Sequence, residues 1–173
     1  MKTNCPYEKK TDLMYSGFIH IAGLLNDRFS VLPLLYGSLG LEQRLSVDLR
    51  ADDIDVLLPK KYLKDDWSKL TALMEYAGYR LIDEHEHEFS NGTVTVAYAI
   101  LESLPSFAGI DISDIPVIED CGVRYLLLEL SDYVKVYEAS SKDGYRKNVK
   151  NKQDNEKIAL IKEALADKND AVL

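Results

Sequence analysis

Apolar positions along the chain recur with a period near 3.6 in some stretches and near 2 in others, and the switches between them mark out the elements. Residues 12–29 place Leu13, Phe18, Ile19, Ile21, Ala22, Leu24 and Leu25 at mixed three- and four-residue steps behind Thr11, a suitable N-cap, so an amphipathic helix is expected there. An apolar run at 31–36 reads as a strand, with Pro33 near its start suiting a strand end or an edge. Residues 53–58, Asp-Ile-Asp-Val-Leu-Leu, form a second strand that Pro59 ends. Asp65 and Asp66 precede a helical pattern through Trp67, Leu70, Leu73, Met74 and Tyr76, and Gly78 stops it.

Residues 79–90 and 93–101 flank Asn91-Gly92, a pair that readily takes the two positive φ values of a type I′ turn, and so predict a hairpin. A two-residue turn would set Phe89 opposite Val94, His87 opposite Val96 and Glu86 opposite Ala97. Phe89, Val94, Val96, Tyr98 and Ile100 would then share an apolar face, with Glu86, Glu88 and Ala97 on the other. After a break at 104–109, residues 115–130 supply one or two strands around Cys121-Gly122. Ser131-Asp132 opens a helix holding Tyr133, Val134, Val136 and Tyr137, and 155–166 form another with Ile158, Leu160, Ile161 and Leu165. The expected fold class is α+β, a small mixed β-sheet with helices packed on one face. It would occupy residues 1–130, with residues 131–173 as a helical C-terminal extension packed on it.

Composition narrows the class of partner. The chain has 173 residues, enough for one domain with a core, and its 29 acidic against 21 basic residues give a net charge of −8. That balance argues against bulk nucleic acid as a partner, since a general phosphate-backbone binder needs clustered positive charge. No apolar stretch approaches the ~20 residues that span a bilayer. The two cysteines, Cys5 and Cys121, are far apart, lack metal-ligand spacing and read as plain thiols. A cytoplasmic protein with no membrane partner is expected.

Two short stretches carry candidate chemistry. The run Leu34-Leu-Tyr-Gly-Ser38 closes a strand on a tight turn, where backbone N–H groups and a hydroxyl can face a phosphate. Asp53 and Asp55 alternate with Ile54 and Val56, so both carboxylates project from one strand face while the apolar pair faces the core. Paired carboxylates at a strand end suit a divalent cation such as Mg²⁺, which prefers oxygen ligands and keeps room for water and substrate phosphates. The alternative is a surface turn followed by a strand whose solvent side is acidic. Asp is disfavoured inside strands, which weighs against it.

The order of helix, strand, Gly37-Ser38, loop 39–52, Asp53-x-Asp55 strand and following helix resembles the nucleotidyltransferase superfamily with the DNA polymerase β-like fold. Within it the chain is similar to small bacterial transferases related to lincosamide nucleotidyltransferases and to abortive-infection toxin nucleotidyltransferases. The resemblance implies that Gly37 and Ser38 hold the triphosphate of a nucleoside triphosphate (NTP) and that Asp53 and Asp55 bind Mg²⁺. A nucleoside monophosphate (NMP) group would then pass to a hydroxyl of a small molecule or a protein side chain, the acceptor itself being unknown. The third carboxylate of the family pattern would fall near Ala97; Glu86, the expected cross-strand neighbour, is the candidate replacement and Glu102 a further one, the alternative being that Glu86 and Glu88 are solvated strand residues. Its displacement keeps a second reading open, a catalytically degenerate protein that binds a nucleotide or a protein partner. A toxin–antitoxin partner is also implied by the resemblance.

Two further motifs compete with ordinary surface readings. His85 and His87 in 83–88 share a strand face and suit Zn²⁺ or Ni²⁺, but two ligands do not make a site, and a packed sheet edge explains them. The basic run 143–154 offers Arg146 and Lys150 toward a triphosphate, Arg146 through its phosphate-matching fork; a solvated helix end explains the same residues.

Overall fold

A computed structural model describes residues 12–142 and 150–170. Helix α1 (Asp12–Phe29) leads into the short strand β1 (Leu34–Tyr36), helix α2 (Gly37–Leu45) and strand β2 (Ile54–Leu58). After a 3₁₀ turn come α3 (Trp67–Tyr76), β3 (Arg80–Asp83), β4 (Glu88–Ser90) and β5 (Thr95–Ile100). The chain closes with α4 (Leu104–Ala108), β6 (Val117–Asp120), β7 (Val123–Leu127), α5 (Leu130–Lys142) and α6 (Lys150–Asp170).

The strands form one mixed sheet in the order β3-β4-β5-β2-β1-β7-β6. β2 runs parallel to β5 and β1 parallel to β7, while β1 and β2 pair antiparallel. Alternation on β2 sorts the sheet's two faces. Ile54, Val56 and Leu58 join Phe18, Ile21 and Leu25 of α1 and Leu70 and Met74 of α3 in one core. Leu57 faces the other way and joins Leu34, Leu126 and Leu128 under Leu41, Leu104, Tyr133, Val136 and Ile161 of α2, α4, α5 and α6. Asp55 shares the face of Leu57, on the side where the C-terminal helices pack.

The α+β class and the mixed sheet expected from the sequence are the ones observed, but helices cover both faces and not one, α1 and α3 on one side and α2, α4, α5 and α6 on the other; the other corrections are local. The stretch 39–52 is not all loop, because α2 begins at Gly37 and runs to Leu45. Residues 79–90 make two strands joined by a turn at 84–87, so the two histidines lie in a turn and not on a strand face. The Asn91-Gly92 turn is four residues long, not two. Asn91 Oδ1 accepts from the N–H groups of Thr93 and Val94, at 2.9 and 2.7 Å, and Asn91 N donates to Val94 O. That side-chain capture widens the loop and slides the register, so Glu88 and not Glu86 faces Ala97, and Phe89 faces Val96. The type I′ signature falls instead at Cys121-Gly122, φ 52 and 76°, where Asp120 pairs with Val123. Asp66 does not cap α3 with its side chain; its carboxylate meets Lys69 at 3.0 Å. Cys121 is disulfide-bonded rather than a plain thiol, and Cys5 lies outside the described residues. Among the described residues no helix is long and apolar enough to cross a membrane.

Candidate active site

The site grows from the join of β1 and α2. Gly37 takes φ +66°, and a Cβ added there would stand 2.2 Å from Asp55 Oδ2. A residue with a side chain would therefore clash as well as strain, and only glycine lets the helix start under the carboxylate. Ser38 follows in the first turn of α2, where the leading N–H groups have no helical partner and no acidic residue stands nearby in the turn.

Sheet register supplies the opposite side. Tyr36 pairs with Asp55, Asp55 with Ala97 and Ala97 with Glu88, so these four share one face along a single row across four strands. Asp53 precedes β2 by one residue and lines the same cleft as Asp55. The approach to Asp53 is fixed by Glu42, a side chain buried in α2 whose Oε1 accepts the N–H groups of Leu49 and Ala51, at 3.0 and 3.1 Å. Replacing Glu42 with methionine is expected to destabilise the fold by about 2 kcal/mol through two stranded N–H groups, and glutamine, which keeps the acceptor, to lose less; urea unfolding would measure both.

The cleft has a volume of about 700 Å³ and brings together Gly37, Ser38, Asp53, Asp55, Glu86 and Glu88. Its far wall comes from the C-terminal helices. Lys157 Nζ donates to Ser38 Oγ at 2.9 Å and lies 5.2 Å from the centre of the Tyr137 ring. Burial raises the Tyr137 hydroxyl above its ordinary value, the nearby Asp154, Tyr36 and Asp55 add to this, and the hydrogen bond from Ser38 opposes it. Burial likewise holds Tyr133 well above the ordinary range. Both phenols stay neutral at physiological pH.

Glu86 is exposed in the 84–87 turn, its carboxylate 3.1 Å from His85 Nδ1, and is not the cross-strand neighbour of Ala97. Glu102 accepts from Lys60 N. The His87 ring lies edge-on to Trp67, centroids 5.0 Å apart. Among the described residues no three His, Cys, Asp or Glu side chains converge as a ligand set. Mg²⁺ fits the donors present even so, because it is bound through one or two carboxylates and completes its shell with water and phosphate oxygens. Arg146 and the side chain of Lys150 lie outside the described residues.

The sequence reading missed Lys157 and Asp154. A signal for them existed: positions 154, 157, 158, 161 and 165 form one helical stripe, where Ile158, Ile161 and Leu165 are the apolar members. Two charged residues on an apolar stripe point to a lined cavity more than to solvent.

No family model matches the chain. It is 41% identical over 148 residues to the uncharacterized protein YnaI of Bacillus subtilis (strain 168), covering 86% of this chain and 95% of that one. A crystal structure of ANT(2'')-Ia in complex with adenylyl-2''-tobramycin superposes with a TM-score of 0.52 at 17% identity, over 89% of this chain and 91% of that one. That likeness gives the nucleotidyltransferase-like fold expected from the sequence. A solution structure of the antibiotic-resistance factor ANT(2'')-Ia aligns at TM-score 0.48 and 18% identity.

Proposed function

This chain belongs to the family of Bacillus subtilis YnaI, and we propose that it is an Mg²⁺-dependent nucleotidyltransferase that moves an NMP group from an NTP to a hydroxyl of a small molecule. The observation that carries this reading is the contact between the Gly37 turn and the Asp55 carboxylate, with Lys157 reaching Ser38 across the cleft. A phosphate-facing turn and a metal-binding acid must adjoin for one triphosphate to meet both.

In this reading the leading N–H groups of α2, the Ser38 hydroxyl and the Lys157 ammonium hold the triphosphate oxygens. Asp53 and Asp55 hold Mg²⁺, which supplies charge stabilisation to the attacking and leaving oxygens. The acceptor oxygen bonds the α-phosphorus as the bond to the bridging oxygen breaks, pyrophosphate leaves, and the hydroxyl proton passes to a cleft carboxylate or to water. The neighbour's complex holds an adenylyl group on a small molecule, which favours a small acceptor here over a protein side chain.

On the observed register Glu88 faces Ala97, two strands and about 10 Å from Asp55 along the row, which supports it over Glu86 as the third carboxylate. Glu88→Gln is expected to lower turnover by about tenfold or more, and Glu86→Gln to leave it near wild type; Mg²⁺ titration of pyrophosphate release checks both.

The founding test is thermal unfolding with each of the four NTPs, with and without Mg²⁺, followed by pyrophosphate release. A Mg²⁺-dependent rise in midpoint with release in the presence of an acceptor supports the enzyme. A rise without release from any acceptor supports the second reading, a nucleotide-binding protein that has lost its chemistry, which Ala97 on the row favours. No rise with any NTP overturns both.

A further inference from the structure

The two candidate metal ligands are held by different means. Asp55 stands inside the ladder, paired with Tyr36 on one side and Ala97 on the other. Asp53 stands one residue before β2, where pairing starts at Ile54, so the sheet does not set its place. The segment 46–52, which leads out of α2, does.

That segment is strained. Ser46 and Arg50, neither of them glycine, take φ of 54 and 55°. Residues with side chains rarely adopt this left-handed conformation, and it persists only where surrounding contacts over-determine it. Most of those contacts come from one residue. The main-chain oxygen of Glu42 accepts from Ser46 N at 2.8 Å, and its Oε1 accepts from Leu49 N and Ala51 N, the amides on either side of Arg50, at 3.0 and 3.1 Å. Asp48 Oδ1 adds a bond from Arg50 N. Leu49 packs on the core beneath the C-terminal helices and Ala51 on the core of α1 and α3, so the segment crosses from one side of the sheet to the other as it nears Asp53. Glu42 itself is 7% exposed and is not among the residues lining the cleft.

We propose that Glu42 is a positioning residue for the metal site: by holding segment 46–52 it places the Asp53 carboxylate in the cleft with that of Asp55, and so sets the affinity for the divalent cation without touching it. This rests on the metal part of the nucleotidyltransferase reading. Groups that orient metal ligands are worth about 10–100-fold in metal affinity, and Asp53, outside the ladder, depends on such a group more than Asp55 does.

The test uses Mn²⁺ as the probe, titrated into the full chain with and without each NTP and read by the electron paramagnetic resonance of the free ion. Glu42→Met should weaken Mn²⁺ binding about tenfold, and Glu42→Gln, which keeps an acceptor in the same place, should stay within about threefold of wild type. Amide exchange at Leu49 and Ala51 should quicken in Glu42→Met alone. Leu25→Ala, which lowers stability through a cavity in the core of α1, should leave the Mn²⁺ affinity unchanged. Glu42→Met/Asp53→Asn should bind no more weakly than Asp53→Asn, because the ligand that Glu42 places is already gone.

Wild-type affinity in Glu42→Met, an equal loss in Leu25→Ala, or a further loss in the double variant overturns the proposal. If Glu42→Met does not fold, Glu42→Met/Arg50→Gly carries the same comparison, since glycine takes the left-handed φ without strain. Failure of both to fold makes Glu42 a structural residue only and overturns the proposal. No Mn²⁺ binding to wild type, with or without NTP, overturns the metal reading and this proposal with it. Glu42-dependent Mn²⁺ binding without pyrophosphate release from any NTP overturns only the transferase reading.

Discussion

Asp55→Asn should give a folded protein whose melting point no longer rises with Mg²⁺ and NTP and whose turnover is lower by about a thousandfold, the equivalent of roughly 4 kcal/mol of lost charge stabilisation. The fold should survive because asparagine copies the shape of aspartate and the sheet around it is independent of the charge: Ile54, Val56 and Leu58 remain buried on the opposite face. Chemistry should not survive, because an amide oxygen carries no net charge to hold Mg²⁺ beside the Gly37 turn. Calorimetry without nucleotide separates the two effects. A variant that melts like wild type but releases pyrophosphate at the wild-type rate would remove Asp55 from the metal site.

Gly37→Ala is the second large effect, and it acts on stability and binding together. The added methyl would meet Asp55 Oδ2 at 2.2 Å and the Asp55 Cγ and Cβ at 3.1 and 3.2 Å, at a residue with φ +66°. Neither the strand that carries Asp55 nor the helix that starts at Gly37 can move independently of the sheet. A loss of about 2–4 kcal/mol is expected, with the Mg²⁺·NTP shift abolished. Gly92→Ala is the control: φ is +93°, but nothing lies within 4 Å of the new methyl, so only the backbone term of about 1 kcal/mol applies. Equal losses at the two positions would mean that the close approach to Asp55 contributes nothing.

The parts of the fold that were legible are those where one period holds for several turns. α1, β2 and α3 carry uninterrupted patterns, and their observed bounds lie within a residue or two of the pattern's own limits. β1 is shorter than its apolar run because Pro33 has no N–H to give the ladder, and pairing begins at Leu34. α2 was hidden by its composition. Gly37, Ser38 and Gly40 are poor helix residues, and the tertiary frame overrides them: Gly40 lies so close to Tyr133 Oη and Leu35 O that a larger residue would collide. The hairpin register was misread because the backbone rule for Asn-Gly ignores what the Asn91 side chain can capture. Gly37, Ser38, Asp53 and Asp55 were adjacent to a turn or a strand end and could be named from spacing. The place of Lys157 on the apolar stripe of α6 was readable too, but its nearness to Ser38 was not, since that contact spans 119 positions and depends on how α6 docks.

The position of β1 has a consequence for how the chain is made. This three-residue strand lies mid-sheet, paired on one side with β2, which follows closely, and on the other with β7, through Leu34 with Leu126 and Leu35 with Leu127. At about 5–20 residues per second, a ribosome needs several seconds between making the two partners. Through that interval the strand leading into Gly37 has a bare edge, open to a chaperone or to a second nascent chain. The turn at Gly37 is made long before β7 and yet waits for that strand before its own is paired on both sides.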